Sequence, residues 1–240
     1  MNCLDNAPSE NCARKSTSTW LCLLAISVVG CATYSVPDVS PEFTAQWLDN
    51  HLVERDSLSN NLLARFSWQL REPDLRIGGL GVVRLGAPDR ARVDLFLENG
   101  ESVLAAALVG DEIRVGQEQT YLGVIPSAPL LWASLGLFRP GKEAALVNTE
   151  RLGSNGIRLD YSSSSSSTLR YDIFEDQIRT VSILENGQTV HSVNLELETP
   201  ERLPSRATYR NLSSYRELVI FLETANGVEP YDEKIWHPGG

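Results

Sequence analysis

The chain of 240 residues has no cysteine after Cys31, although it holds four in all. Residues 32–240 therefore contain no disulfide, no cysteine metal ligand and no cysteine nucleophile. The three histidines have no metal-ligand spacing, and the nucleophile motif G-x-S-x-G does not occur. We predict no metal, no cofactor and no enzymatic activity. A hydrolase whose residues meet only in the fold stays open as an alternative.

Clusters of basic residues are also missing. The chain has 21 Lys and Arg against 31 Asp and Glu, which gives a formal net charge of −10. Nucleic-acid-binding proteins usually carry a basic face, so we predict no nucleic-acid partner. Anionic membrane surfaces would repel this charge as well. Membrane attachment would therefore have to come from covalent lipid.

The apolar run at residues 20–31 is shorter than the roughly 20 residues of a transmembrane helix. Arg14 and Lys15 precede it, as in a secretory signal. The run ends in Val28-Val29-Gly30-Cys31, which resembles the lipobox of bacterial lipoproteins. That resemblance implies signal cleavage between Gly30 and Cys31 and a covalent lipid at Cys31. An ordinary signal peptide or a membrane anchor with an incidental cysteine is the alternative.

These features predict a lipoprotein signal peptide at residues 1–30, a lipidated tether at 31–40 and one domain at 41–240. Two or more acyl chains on the cysteine would anchor the chain stably. Ala32, and not aspartate, follows the cysteine. By resemblance to the sorting rule of Gram-negative lipoproteins, this implies a lipid-anchored protein of the bacterial envelope, at the outer membrane and facing the periplasm.

The domain reads as one helix followed mainly by strands. Ser40 and Pro41 are typical of a helix start, and apolar spacing continues the helix to residue 54. Apolar and polar residues then alternate, which predicts half-buried strands. Asn99-Gly100 and Asn186-Gly187 are hairpin signals. The predicted strands are 62–71, 76–85, 93–97, 102–109, 112–115, 121–124, 156–161, 168–174, 177–184, 188–197, 207–210 and 218–223.

A glycine cluster, Gly78-Gly79-Leu80-Gly81, lies inside the second predicted strand. It superficially resembles a dinucleotide-binding loop, but strand-like residues follow it where that motif requires a helix. The glycines are better explained by a bend or by a close approach of the backbone to a neighbour.

Residues 127–137 interrupt the strands with a segment that is apolar nearly all round. Pro129 suits a first helical turn, and Gly136 would end the helix. A helix that is apolar on every side is either buried in the core or faces a ligand on one side. Both interpretations stay open.

The predicted fold class is α+β and mostly antiparallel β. About eleven strands form a sheet long enough to curl into an incomplete barrel. The helices at 41–54 and 127–137 would cover its apolar face as a lid. Residues 227–240 are polar and contain Pro and Gly, so we expect a surface tail there.

This order of elements behind a lipobox resembles the LolA/LolB-like family of bacterial lipoprotein carriers. Residues 65–94 carry most of the likeness, with a Phe/Trp strand, a Gly-rich strand and the run Leu85-Gly-Ala-Pro-Asp-Arg-Ala-Arg-Val-Asp94. The resemblance implies a hydrophobic cavity between sheet and lid that binds acyl chains of lipid or lipoprotein, and a role in lipoprotein localisation to the outer membrane.

The sequence departs from the family at two points. The soluble carriers have an arginine before the proline of the second turn, where this chain has Ala87. The membrane-anchored acceptor has a protruding apolar loop between two early strands, where this chain has the tight Asn99-Gly100 turn between Glu98 and Glu101.

The apolar residues that face inward from the predicted strands, together with those of the predicted lid helix, are the expected cavity residues. They are Phe66, Trp68, Leu70, Val93, Leu95, Leu97 and Leu104 on the sheet and Trp132 and Leu135 on the lid. Pockets commonly lie in the mouths of barrels. A solid core is the alternative to the cavity. The alternative to lipid binding is an envelope-assembly or signalling lipoprotein that binds a protein or peptide on a sheet edge.

Overall fold

The computed structural model describes residues 52, 60–116, 125–164, 166–198 and 203–239. Cys31, the predicted signal, the tether and the predicted strand at 121–124 lie outside these residues. The predicted helix at 41–54 does too, except for Leu52, whose side chain is fully buried.

The described residues form one antiparallel sheet of twelve strands in the order β5-β4-β3-β2-β1-β12-β11-β10-β9-β8-β7-β6. The strands are β1 Asn61–Glu72, β2 Leu75–Gly86, β3 Arg90–Leu97, β4 Ser102–Val109, β5 Glu112–Val115, β6 Ala145–Leu152, β7 Gly156–Ser164, β8 Ser167–Phe174, β9 Gln177–Glu185, β10 Gln188–Glu196, β11 Arg206–Asn211 and β12 Arg216–Val228.

Alternation places one face of β1 in the core, as the sequence predicts. In β1, Ala64, Phe66, Trp68 and Leu70 are buried, whereas Arg65 and Gln69 are exposed. Asn99-Gly100 closes a tight turn, in which the Gly100 N–H donates to the Leu97 carbonyl over 2.9 Å and Gly100 has φ +86°. This hairpin therefore has no protruding loop.

The sheet curls and stays open. Leu104 of β4 and Ala207 of β11 line one common cavity, although five strand spacings separate them in the sheet order. In a flat sheet that separation would be about 24 Å, so the sheet must bend around the cavity. Its two end strands, β5 and β6, do not pair with each other. The predicted incomplete barrel is confirmed.

One helix, α1 at Ala128–Ser134, covers the concave face and packs against β9, β10 and β11. It has Pro129 in its first turn, and two residues after its end Gly136 takes φ +74° and donates its N–H to the Ala133 carbonyl over 2.8 Å. Both boundary signals act as predicted. No helix among the described residues is long and apolar enough to cross a membrane.

The structure adds β6, a strand absent from the prediction, which lacks the period-two pattern of burial. It also corrects the expected surface tail at 227–240. There β12 continues to Val228, and a 3-10 helix at Glu233–Trp236 follows. Trp236 is 2 % exposed, and its ring takes the space that a Cβ on Gly86 would fill.

Ion pairs cross the outer face of β7 and β8. Arg158 donates to Asp172 over 2.7 Å, and Arg170 donates to Asp160 over 2.7 Å. Burial alone would raise the pKa of Asp160, but hydrogen bonds from Arg170 and Asn148 lower it below its ordinary value. These strands therefore form a charged outer wall behind an apolar inner one.

Candidate functional site

The candidate site is an apolar cavity between α1 and the concave face of the sheet. Its volume is about 80 Å³, and the cleft around it has about 1030 Å³ free of atoms when its open mouth is included. The lining residues are Phe66, Trp68, Val83, Ala91, Val93, Leu95, Leu104, Ala106, Ala107, Leu108, Ile113, Ile125, Pro126, Leu131, Ser134, Leu135, Leu203, Pro204, Ala207, Leu218, Ile220 and Leu222.

Six of the nine expected cavity residues line this cavity, namely Phe66, Trp68, Val93, Leu95, Leu104 and Leu135. The other three do not. Leu70 lies one step further along β1 and pairs with Leu218, and Leu97 ends β3 opposite Gly79. Trp132 is turned away from the cavity, and on α1 the residues that face it are Leu131, Ser134 and Leu135.

Two glycines of β2 allow the aromatic side chains of β1 to lie close over the neighbouring strand. Gly81 pairs with Phe66, and a Cβ there would stand 2.3 Å from the Phe66 ring. Gly79 pairs with Trp68, whose Nε1 donates to the carbonyls of Leu80 and Phe96 over 3.0 and 3.2 Å. The glycine cluster therefore serves close backbone approach, as predicted.

The lid is fastened to turns at one end of the sheet. Trp132 Nε1 donates to the carbonyl of Gly110, in the turn between β4 and β5, over 2.9 Å. Beyond the helix, Arg139 Nε donates to Asp89 Oδ1, in the turn between β2 and β3, over 2.8 Å. The Lys142 N–H donates to Asp111 over 3.0 Å. Arg139 therefore links the lid to the turn that contains Ala87.

The lining contains no ionisable side chain. Both of its side-chain hydrogen-bond donors are already bonded, the Trp68 indole to two carbonyls and the Ser134 hydroxyl to the Leu130 carbonyl over 2.8 Å. Nearby on the concave face, Tyr209 Oη lies 3.1 Å from His191 Nδ1. Burial lowers the pKa of His191 and raises that of Tyr209, which favours the uncharged form of each side chain. The cavity therefore suits an uncharged, apolar ligand.

No group of three or more His, Cys, Asp or Glu with the geometry of a metal site occurs among the described residues.

Sequence reasoning missed the wall contributed by β11 and β12. Leu218, Ile220 and Leu222 line the cavity because β12 pairs with β1 and continues its inner face. Their period-two spacing was a usable signal for a half-buried strand. The pairing of β12 with β1, far apart in the chain, was not visible in the sequence.

Comparison with known proteins gives matches in fold. No family model matches the chain, and no curated protein matches its sequence. A putative outer membrane lipoprotein-sorting protein domain from Vibrio parahaemolyticus aligns with a TM-score of 0.54 at 6% identity, covering 78% of this chain and 94% of that one. A DUF1329 family protein from Desulfovibrio piger aligns with a TM-score of 0.52 at 8% identity, covering 82% and 97%.

A LolA superfamily protein from Nitrosomonas europaea aligns with a TM-score of 0.49 at 11% identity, covering 80% of this chain and 96% of that one. This chain, an open curled sheet covered by one helix, shares its fold with the Vibrio parahaemolyticus domain and the Desulfovibrio piger protein.

Proposed function

We propose that this chain is a lipid-anchored protein of the bacterial cell envelope that binds acyl chains of lipid or lipoprotein in the cavity under α1. The observation that carries the proposal is the lining, which has no ionisable side chain and one already bonded hydroxyl. Each buried CH₂ recovers about 0.8 kcal/mol, so an acyl chain needs no polar contact there. Such a lining also suits a binding protein better than an enzyme.

The dimensions of the cavity indicate how a bound acyl chain would lie in it. The cavity of about 80 Å³ is too small for a whole acyl chain and would hold only part of it. The rest of the chain would extend into the wider cleft between α1 and the sheet. The shared fold adds support by analogy, since one structure with this fold is described as a lipoprotein-sorting domain. A role in lipoprotein localisation to the outer membrane is the corresponding hypothesis.

The cavity is tested by native mass spectrometry of the full chain, followed by solvent extraction. Extraction removes acyl compounds held without a covalent bond and leaves any lipid bonded to Cys31. Leu135→Glu places a carboxylate in the lining, and burying that charge is costly. We expect at least a tenfold loss of extractable acyl compounds from this variant.

The matched control is Leu80→Glu, since Leu80 is 54% exposed and does not line the cavity. It should retain the ligand, and circular dichroism should show the same sheet in both variants. A wild-type protein that yields no acyl compound would contradict the proposal.

Lipidation is tested separately. Since the thiol of Cys31 would carry the lipid, Cys31→Ser should accumulate as an uncleaved precursor without lipid, measured by intact mass. Cys22→Ser, in the same apolar run, is the control and should be processed normally. Normal cleavage and lipid mass in Cys31→Ser would refute the anchor and leave the cavity untouched.

A second candidate function, binding of an extended peptide, is favoured by the edge strand β6. This strand is exposed along most of its length, and Val147 is 60% exposed at an irregularity in its pairing with β7. A peptide could add to such an edge through backbone hydrogen bonds. A ligand-free mass spectrum would favour this candidate over the acyl-chain carrier.

A further inference from the structure

The turn between β11 and β12, residues 212–215, presents two large apolar side chains to solvent. Leu212 is 46% exposed and Tyr215 is 81% exposed. They are two of the five large apolar side chains that are exposed in the described part of the chain. We call residues 212–215 the apolar tip.

The apolar tip is held in a defined shape. The Asn211 side-chain oxygen accepts hydrogen bonds from the N–H groups of Ser213 and Ser214, both over 3.1 Å. The Leu212 N–H donates to the Val190 carbonyl over 2.9 Å. A tip ordered in advance loses little further conformational entropy when it binds.

Tyr215 has φ +52°, in the left-handed region that residues other than glycine and asparagine rarely adopt. Such strain persists only where the surroundings impose it, and it is more frequent at functional sites. A glycine would relieve the strain but would leave no ring in solvent. The turn therefore keeps an exposed aromatic side chain at a position where folding alone favours glycine.

The apolar tip itself carries no charge. Its neighbours Arg210 and Arg216 are both paired, Arg210 with Glu217 over 2.8 Å and Arg216 with Glu72. The chain as a whole has a net charge of −10, so a surface of anionic lipid would repel it. The charge pattern fits a surface without net charge.

We propose that the apolar tip inserts into the interfacial region of a zwitterionic lipid bilayer. Tyrosine is enriched at this depth because its ring is apolar and its hydroxyl is polar, and leucine would lie deeper. Two side chains on four residues offer far less than the about 800 Å² that a stable protein interface buries on each partner. A bilayer requires no complementary surface, so a contact this small suffices for a chain held nearby by the lipid anchor proposed above, and in this respect the inference rests on the proposed function.

The contact would orient the molecule. The apolar tip lies at the end of the sheet where β1 meets β2, because β12 pairs with β1 through Glu217 and Arg71. Asp89 and Gly110, which fasten the lid, lie in turns at the opposite end. With the apolar tip in the bilayer, the fastened end of the lid points away from it. The proposal does not depend on a ligand in the cavity.

The test uses the full chain with phosphatidylcholine vesicles whose acyl chains carry bromine, which quenches tryptophan fluorescence on contact. Tyr215→Trp adds a tryptophan at the apolar tip. Leu80→Trp adds one at an equally apolar position that is 54% exposed but lies in β2. Any membrane anchor is the same in both variants, so the comparison isolates the apolar tip.

We expect the emission added at position 215 to be quenched at least twofold more than the emission added at position 80. Leu212→Ser in the Tyr215→Trp background should reduce that quenching, and replacing a third of the lipid with phosphatidylglycerol should weaken it. Equal quenching at both positions, or none at position 215, would overturn the proposal and leave a protein partner as the reason for the exposed side chains.

Discussion

Gly79 shows how a single residue holds the aromatic wall of the cavity in place. A Cβ at this position would stand 1.9 Å from the Phe96 carbonyl oxygen and 2.9 Å from the Leu97 Cα. Both atoms belong to the backbone of β3 and cannot rotate away. Because Trp68 donates to this same Phe96 carbonyl, the close approach of β2 to β3 also positions the Trp68 ring in the lining.

We expect Gly79→Ala to lower the free energy of unfolding by about 3 kcal/mol, since overpacking must separate two strands. Urea denaturation measures the change. Gly227→Ala is the control, because a Cβ on Gly227 meets nothing within 4 Å. If both alanine variants were equally stable, the contact with β3 would not be what requires a glycine at position 79.

At this scale, sequence patterns predicted which residues face inward more reliably than which residues line the cavity. Phe66 and Trp68 follow from alternation, and the glycines opposite them follow from the need for close approach. Trp132 shows the limit. In a helix that is apolar on all sides, the pattern does not determine which face meets the sheet, and the hydrogen bond to Gly110 turns this ring away from the cavity.

Among the elements, α1 is short, with seven residues, and helices of this length are not stable on their own. Its position therefore depends on packing and on the three hydrogen bonds that fasten the lid. The ion pair of Arg139 with Asp89 is the most adjustable of these, since the Arg139 side chain is 13% exposed and that of Asp89 is 45% exposed. Loss of the pair should free the lid without removing apolar contacts.

We expect Arg139→Gln to speed hydrogen exchange of the α1 amides several-fold and to speed release of a bound acyl chain. Combining it with Asp89→Asn should add little, because the pair is already broken, and a coupling of about 1 kcal/mol is reasonable for a partly exposed pair. Arg158→Gln is the control, since it breaks ion pairs on the outer face of β7. Identical α1 exchange in the Arg139 and Arg158 variants would show that the pair does not hold the lid.

Elements with one buried face were predictable, and elements without one were not. Strands β1 and β2 alternate between buried and more exposed residues over most of their length and end at recognisable turns. Strand β6 lies at the sheet edge, where most of its side chains are exposed, so the period-two signal is absent. The sequence pattern does not predict the 3-10 helix at Glu233–Trp236 either, because the only buried side chain of this helix is Trp236.

For the whole molecule, the central physical property is the space between the curled sheet and its lid. Alternation predicts an apolar inner face whether that face encloses a cavity or a solid core. The distinction depends on how strongly twelve strands curl and how far α1 stands from them, which no local pattern encodes. The structure leaves a cavity of about 80 Å³ between the sheet and α1. Its presence can be tested by substituting a lining residue with a larger side chain.

Ala106→Leu adds three carbon atoms to the cavity lining. If the cavity is present, the larger side chain should raise the free energy of unfolding by about 1 kcal/mol, as cavity filling commonly does, while reducing the amount of acyl compound extracted.

Ala64→Leu is the matched control, because Ala64 is fully buried on the same face and does not line the cavity. It should lower the free energy of unfolding by about 1–3 kcal/mol through overpacking. Opposite signs for the two substitutions, measured by denaturation, would establish a cavity that costs stability in the absence of ligand. Destabilisation by both would mean that the interior is solid, and the acyl-chain carrier would lose its physical basis.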